Sequence, residues 1–391
     1  MLNNRSYNNL VNLVIIISLI LIPMDPVLFL PYEFLGLKIS ISRMLLLFSF
    51  FLLLFNLFWK PLKFKKTFNL LFLWTCFNFF TYYWSFGDFK NIIRNMFLLI
   101  FINMVVILSY SLEKQRLGKY VVYIIIFLSI IFAFIEQLTG YRLPAARQHV
   151  FFYELTAFYI NPAHLGSTLS LLSPWILNNS YFKFKGGGGL QVFIITIVLF
   201  VILRTGTKGS LLSFFVAFIF NILVSIFSMQ KKVLINYIVK LIVTLIIIGF
   251  FSVTFIYTFL PEILREKILY INPKLLFSSE SYISRENIWT TIWTYVRDRI
   301  FIGYGIGSFN TLFDLSSHNL LLELWFEGGF INLSLFLILL FYVLIRLMNN
   351  FAKNKVFVAS LLATIPIFFT LGSFLDFWAF WIVLGICIAN I

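Results

Sequence analysis

Apolar runs long enough to cross a ~30 Å hydrocarbon core recur along the whole of this 391-residue chain. They fall near 9–23, 44–59, 67–86, 92–112, 120–138, 163–179, 190–203, 209–229, 239–260, 329–348, 356–372 and 373–391, which makes about twelve spans. Only 12% of the residues are charged, about half the share a soluble domain needs to cover its surface. A barrel is excluded, because its strands would alternate polar and apolar residues. The expected fold is all-α: a polytopic helical membrane protein, with 1–391 forming a single integral membrane domain.

The N-terminal stretch MLNNRSYNNLVNLVIIISLILIP has the look of a signal sequence, yet no small-residue cleavage site follows it. It reads as a first, retained transmembrane helix. Cys76 and Cys387 lie far apart inside apolar runs and read as small buried hydrophobes, neither a disulfide nor a metal site.

Charge orients the spans. One set of loops holds Arg5, Lys60, Lys63, Lys65, Lys66, Lys114, Arg116, Lys119, Lys183, Lys185, Lys231, Lys232, Arg346, Lys353 and Lys355, with Glu113 as the only acid among them. By the positive-inside rule this side is cytoplasmic, and both termini lie on it. The net charge of +15 then reflects topology and anionic lipid, and no nucleic-acid partner is expected. The glycine run at 186–189 reads as a flexible link on the same side.

Residues 261–318 form the one long loop, expected on the outer side, and long loops in compact domains are usually functional. Within it, SRENIWTTIWTYVRDR places Ile288, Trp289, Ile292, Trp293 and Val296 on one helical face. Such a helix is expected in the headgroup region, its tryptophans dipped toward the acyl chains.

Four groups of residues could do chemistry. In HNLLLELWFEGGFIN, helical spacing stacks Asn319, Glu323 and Glu327 on one face before Gly328 and Gly329 break the helix. Charge at bilayer depth is costly, so this stripe implies a wet or protein-lined cavity; the alternative is a helix end solvated at the interface. His318 adjoins it and could move a proton near neutral pH, although a lone histidine is commonly an ordinary surface or core residue. In RTGTKGS, Arg204 and Lys208 with the hydroxyls of Thr205, Thr207 and Ser210 suit a phosphate, or are snorkelling cations. The remaining two are Arg285, just before the tryptophan helix, and FYINPAHLG, where an Asn-Pro turn and His164 open a helix. GYGIGSF reads as a tight turn rather than a nucleotide fingerprint, since no strand precedes it.

Taken in order, FYINPAHLG, TGTKGSLLSF, SRENIWTTIWTYVRDRIFIGYGIGSF and HNLLLELWFEGGFIN resemble the O-antigen polymerase and O-antigen ligase family of bacterial envelope enzymes, over about 160–332. His318, Asn319 and Gly329 fall on the family's pattern of His-Asn, nine residues, Gly. Three positions depart from it. Lys208 stands where the family usually has Arg, His164 where it usually has Asn, and Asn332 where a small or hydroxyl residue is usual.

The resemblance implies transfer of a saccharide from a polyprenyl-diphosphate-linked oligosaccharide to a sugar hydroxyl at the outer face of the bacterial inner membrane. No metal or other cofactor is implied. His318 would be the general base, with Asn319 or Glu323 orienting it. Arg285, Lys208 and Arg204 would stabilise the leaving diphosphate, and His164 and Glu327 would contact substrate. The acceptor is either another lipid-linked repeat unit of an O-antigen or capsule, for a polymerase, or the lipid A-core, for a ligase; the polymerase is the favoured expectation. Membrane lipids, a chain-length regulator and a flippase are the further expected partners. A lipid-linked-sugar flippase or transporter is the alternative class, but the ionisable residues crowd the expected outer ends and no internal repeat is visible. A metal-dependent transferase would want paired acids in an outer loop, and Asp25 and Glu33 are scattered.

Overall fold

The computed structural model describes residues 4–34, 37–59, 66–143, 154–159, 161–177, 189–227, 280–313, 317–371 and 375–391. The helices are α1 (Asn4–Leu21), α2 (Ile41–Trp59), α3 (Lys66–Phe80), α4 (Phe89–Lys114), α5 (Gly118–Thr139), α6 (Pro162–Leu177), α7 (Gly189–Arg204), α8 (Lys208–Phe227), α9 (Glu280–Asp298), α10 (Ser308–Leu312), α11 (Leu320–Met348), α12 (Phe351–Phe368) and α13 (Trp378–Asn390). Eleven of them, α1–α8 and α11–α13, overlap apolar runs read from the sequence, α9 and α10 fall within the 261–318 segment, and the run 239–260 lies outside the described residues.

Among the described residues, five stretches are long and apolar enough to cross a membrane: Asn8–Asp25, Phe89–Lys114, Gly118–Thr139, Leu320–Met348 and Phe351–Phe368. The apolar helices α3, α6, α7 and α13 are shorter, at 13 to 16 residues. At 13 residues, α13 extends about 20 Å at 1.5 Å per residue, less than a hydrocarbon core.

One element departs from the all-helical expectation. Phe29–Phe34 and Leu37–Ser40 pair as an antiparallel hairpin, β1 and β2, where a plain loop was expected. It is anchored below by Asp25, which is buried, meets Arg43 Nη2 at 2.7 Å, and accepts the hydroxyls of Ser40 and Ser42. Cys76 is also corrected: it lies on the exposed side of α3, whereas Cys387 is buried as expected.

The chain divides into two compact units. The first holds residues 1–121, 277–350 and 368–391. Its core is α13 laid against α4 and α3 against α11. Gly385 permits the first contact, because a Cβ there would stand 2.5 Å from the Val106 carbonyl oxygen; small residues are the usual means of close helix approach in membranes. Trp74 stacks on Trp381 at 5.8 Å and tilts over Phe336 at 5.7 Å. Asn78 Nδ2 donates to Asn332 Oδ1 at 2.9 Å, tying α3 to α11 by a buried polar pair. Asn332, a departure from the family pattern, therefore has a packing role.

The second unit holds residues 122–276 and 351–367. There α6 packs on α7 and α8. Gly166 faces Ser210 and Thr205 at a distance that leaves no room for a Cβ, and Ser170 Oγ donates to the Ser210 carbonyl at 2.6 Å.

Candidate functional site

In the first unit, the segment between α9 and α10 is threaded between two others. Tyr304 N–H donates to Phe326 O at 2.9 Å, Gly305 N–H to Glu327 O at 2.7 Å, and Phe330 N–H to Ile300 O at 2.7 Å. On its other side Phe86 N–H donates to Tyr304 O at 2.9 Å, and Ile306 N–H to Thr81 Oγ1 at 3.0 Å. The GYGIGSF stretch is thus a turn, as expected. At Gly329 the α11 backbone leaves the helix (φ 68°, ψ −171°), and a side chain there would overlap the Phe301 carbonyl. The kink frees the carbonyls of Phe326 and Glu327 to receive this loop.

The amphipathic face of α9 has a protein partner. Ile292 (0% exposed) and Val296 (2%) join Tyr304, Phe309 and Phe326 in a buried cluster. Trp293 stands edge-on to Trp325 at 5.2 Å. Trp289 does not use its indole at a headgroup; its N–H donates to the Ser317 carbonyl at 2.7 Å. The sequence pattern marked the face, but where acyl chains were expected to cover it Ile288, Ile292 and Val296 pack against protein, since periodicity reads burial and not the identity of the neighbour.

His318 sits directly after this contact, with φ of 50° and partial exposure. Both neighbours are pinned. Ser317 is fully buried, its Oγ accepting Asn319 N–H at 3.1 Å and lying 3.3 Å from Glu323 Oε2. Asn319 caps α11 by accepting Leu322 N–H at 3.2 Å.

The polar stripe therefore divides by task. Asn319 caps the helix. Glu323 is linked through Ser317 to the His318 turn. Glu327 accepts the backbone N–H groups of Gly307 at 3.0 Å and Phe309 at 3.4 Å, and so anchors the glycine-rich loop. Between Asn78, Ile306, Leu320, Glu323 and Glu327 lies a cavity of about 20 Å³, room for about one water molecule. Among the described residues the stripe faces this water-sized space. Arg285 falls on α9; its side chain lies outside what is described.

In the second unit, α7 ends at Arg204, the chain turns at Gly206 (φ 64°), and α8 begins at Lys208. Thr205 and Thr207 hydroxyls lie 2.8 Å apart in the turn. The two cations differ sharply. Lys208 is exposed, as a snorkelling side chain would be. Arg204 is only 6% exposed, and among the described residues its Nε and Nη1 have no hydrogen-bond partner. His164 is buried in the first turn of α6, its backbone N–H accepted by Asn161 Oδ1 at 2.9 Å. Nearby, burial pushes the Tyr159 hydroxyl up to about 12, so it stays a neutral donor, 3.0 Å from Ser129 Oγ.

Sequence reasoning passed over two residues here, buried Glu136 and half-buried Arg142, which form an ion pair at 3.0 Å. An acid within an otherwise apolar run was the available signal. His149 lies outside the described residues.

Residues 192–337 match the family model described as Wzy_C, O-antigen ligase. The match runs from α7 into α11 and includes the positions of Arg204, Lys208, Arg285, His318 and Gly329, supporting the O-antigen polymerase and ligase family. No curated protein matches the chain.

Proposed function

With that family as premise, we propose that the chain is a membrane glycosyltransferase that polymerises lipid-diphosphate-linked oligosaccharide units of a surface polysaccharide. His318 takes the proton from the acceptor hydroxyl as it attacks the anomeric carbon of the donor. The diphosphate departs with the electron pair of the broken bond, and Arg285, Lys208 and Arg204 are the cations assigned to it. The observation that carries the reading is the backbone of His318. A non-glycine residue in the left-handed region persists where its surroundings over-determine it, and such residues cluster at functional sites. Here Trp289, Ser317 and Asn319 supply that constraint while the imidazole stays partly accessible.

A ligase is the second reading, favoured by the description of the matching family model. Deleting the gene separates the two. Loss of a polymerase leaves single repeat units on the cell's acceptor and erases the long-chain ladder. Loss of a ligase leaves long chains on the lipid carrier. An unaltered ladder with no stranded chains would sink both.

A further inference from the structure

Glu136 lies in the last turn of α5, and its carboxylate is saturated. Oε2 accepts the backbone N–H groups of Thr156 at 2.8 Å and Ala157 at 2.7 Å. Oε1 accepts Arg142 Nε at 3.0 Å, and the Thr156 hydroxyl lies 3.3 Å from both oxygens. A carboxylate offers about four lone-pair sites, and each has a donor here. Arg142 also reaches the Glu154 carbonyl, through Nη2 at 2.7 Å.

The same stretch is tied to the end of α7, where Leu155 N–H donates to the Arg204 carbonyl at 3.1 Å. Glu136 and Arg204 thus grip successive residues of one segment, Leu155 by the Arg204 carbonyl and Thr156 and Ala157 by the carboxylate. A buried arginine beside an unsaturated carboxylate would close on it, since a bidentate pair is the strongest contact open to it. Arg204 instead keeps Nε and Nη1 buried without partners among the described residues. Unpaired buried donors are costly, and an anion received there would remove that cost.

We propose that Arg142 and Glu136 are positioning residues that keep Arg204 open. By saturating Glu136, Arg142 leaves the two buried nitrogens of Arg204, Nε and Nη1, to an anionic ligand, the diphosphate of the lipid-linked donor. The identity of that ligand rests on the function proposed above; the saturated carboxylate and the buried Nε and Nη1 of Arg204 do not.

The test is a double-mutant cycle on the full-length protein in detergent, titrated with inorganic pyrophosphate, with the unfolding temperature of every variant recorded. Arg142→Ala releases an oxygen of Glu136 to Arg204, and affinity falls about ten-fold, the scale of one charged hydrogen bond. Glu136→Gln removes the competing charge and tightens binding. The double variant recovers what Arg142→Ala lost. A scaffold role gives the opposite pattern, with losses in both single variants and the largest in the double. That pattern, or unchanged binding in Arg142→Ala, overturns the proposal. Should Arg142→Ala fail to fold, Arg142→Gln, which can still donate to the Glu154 carbonyl, carries the same expectation.

Arg204→Ala separates this inference from the function beneath it. If wild-type protein binds no pyrophosphate, or binding survives Arg204→Ala, the anion role of Arg204 falls and the inference falls with it. If Arg204→Ala abolishes binding and the cycle shows no recovery, only the role of Arg142 and Glu136 falls.

Discussion

His318, with φ of 50°, occupies a region that costs an L residue roughly 1–2 kcal/mol. That cost separates its chemical role from its structural one. His318→Gly relieves the backbone and removes the imidazole, so the unfolding temperature should hold or rise while chain formation falls about 10²–10⁴-fold, the usual worth of a positioned acid–base group. His318→Ser should lose as much activity. Turnover by purified protein with a lipid-linked donor, at matched protein levels, is the measurement. Substantial activity in either variant returns His318 to a helix-entry role. Arg204 is the other anomalous residue: its burial contradicts simple snorkelling, whereas exposed Lys208 remains compatible with it.

Among the elements, α9, the glycine-rich loop and the α11 kink act as one assembly around the His318 turn. Trp289→Phe keeps the ring but removes the donor to Ser317 O. It should cost about 1 kcal/mol of stability and lower turnover, with donor affinity unchanged. Glu327→Ala leaves the N–H groups of Gly307 and Phe309 without their acceptor and should cost about 1–3 kcal/mol; Glu327→Gln keeps an acceptor oxygen and should cost less. Thermal unfolding in detergent measures both. Equal loss in Glu327→Ala and Glu327→Gln would point to the charge, and not the anchoring, as what matters at this position.

For the whole molecule, the prediction is topological and comes from the charge asymmetry. With exposed Cys76 first replaced by serine, thiols introduced one at a time at 299–313 should react with an impermeant reagent added from outside. Thiols at 115–117 and 349–350 should react only after the membrane is permeabilised. Labelling of 115–117 in intact cells would reverse the orientation, and with it the face at which transfer is proposed.

Much of this protein is legible along the chain, because the information is local. A helix in lipid satisfies its own backbone, so apolar length alone marks most spans. Glycine at 329 announces the break in α11, and the Arg204–Lys208 turn shows itself as a polar interruption between two greasy runs. What the chain could not disclose are pairings between distant residues. Periodicity put Glu323 and Glu327 on one face but could not say that backbone amides of a loop some twenty residues earlier would occupy Glu327. Trp289 could not be assigned to Ser317, nor Asn78 to Asn332, nor Glu136 to Thr156 and Ala157. In each case a buried polar group must find a partner, and tertiary structure alone selects which one.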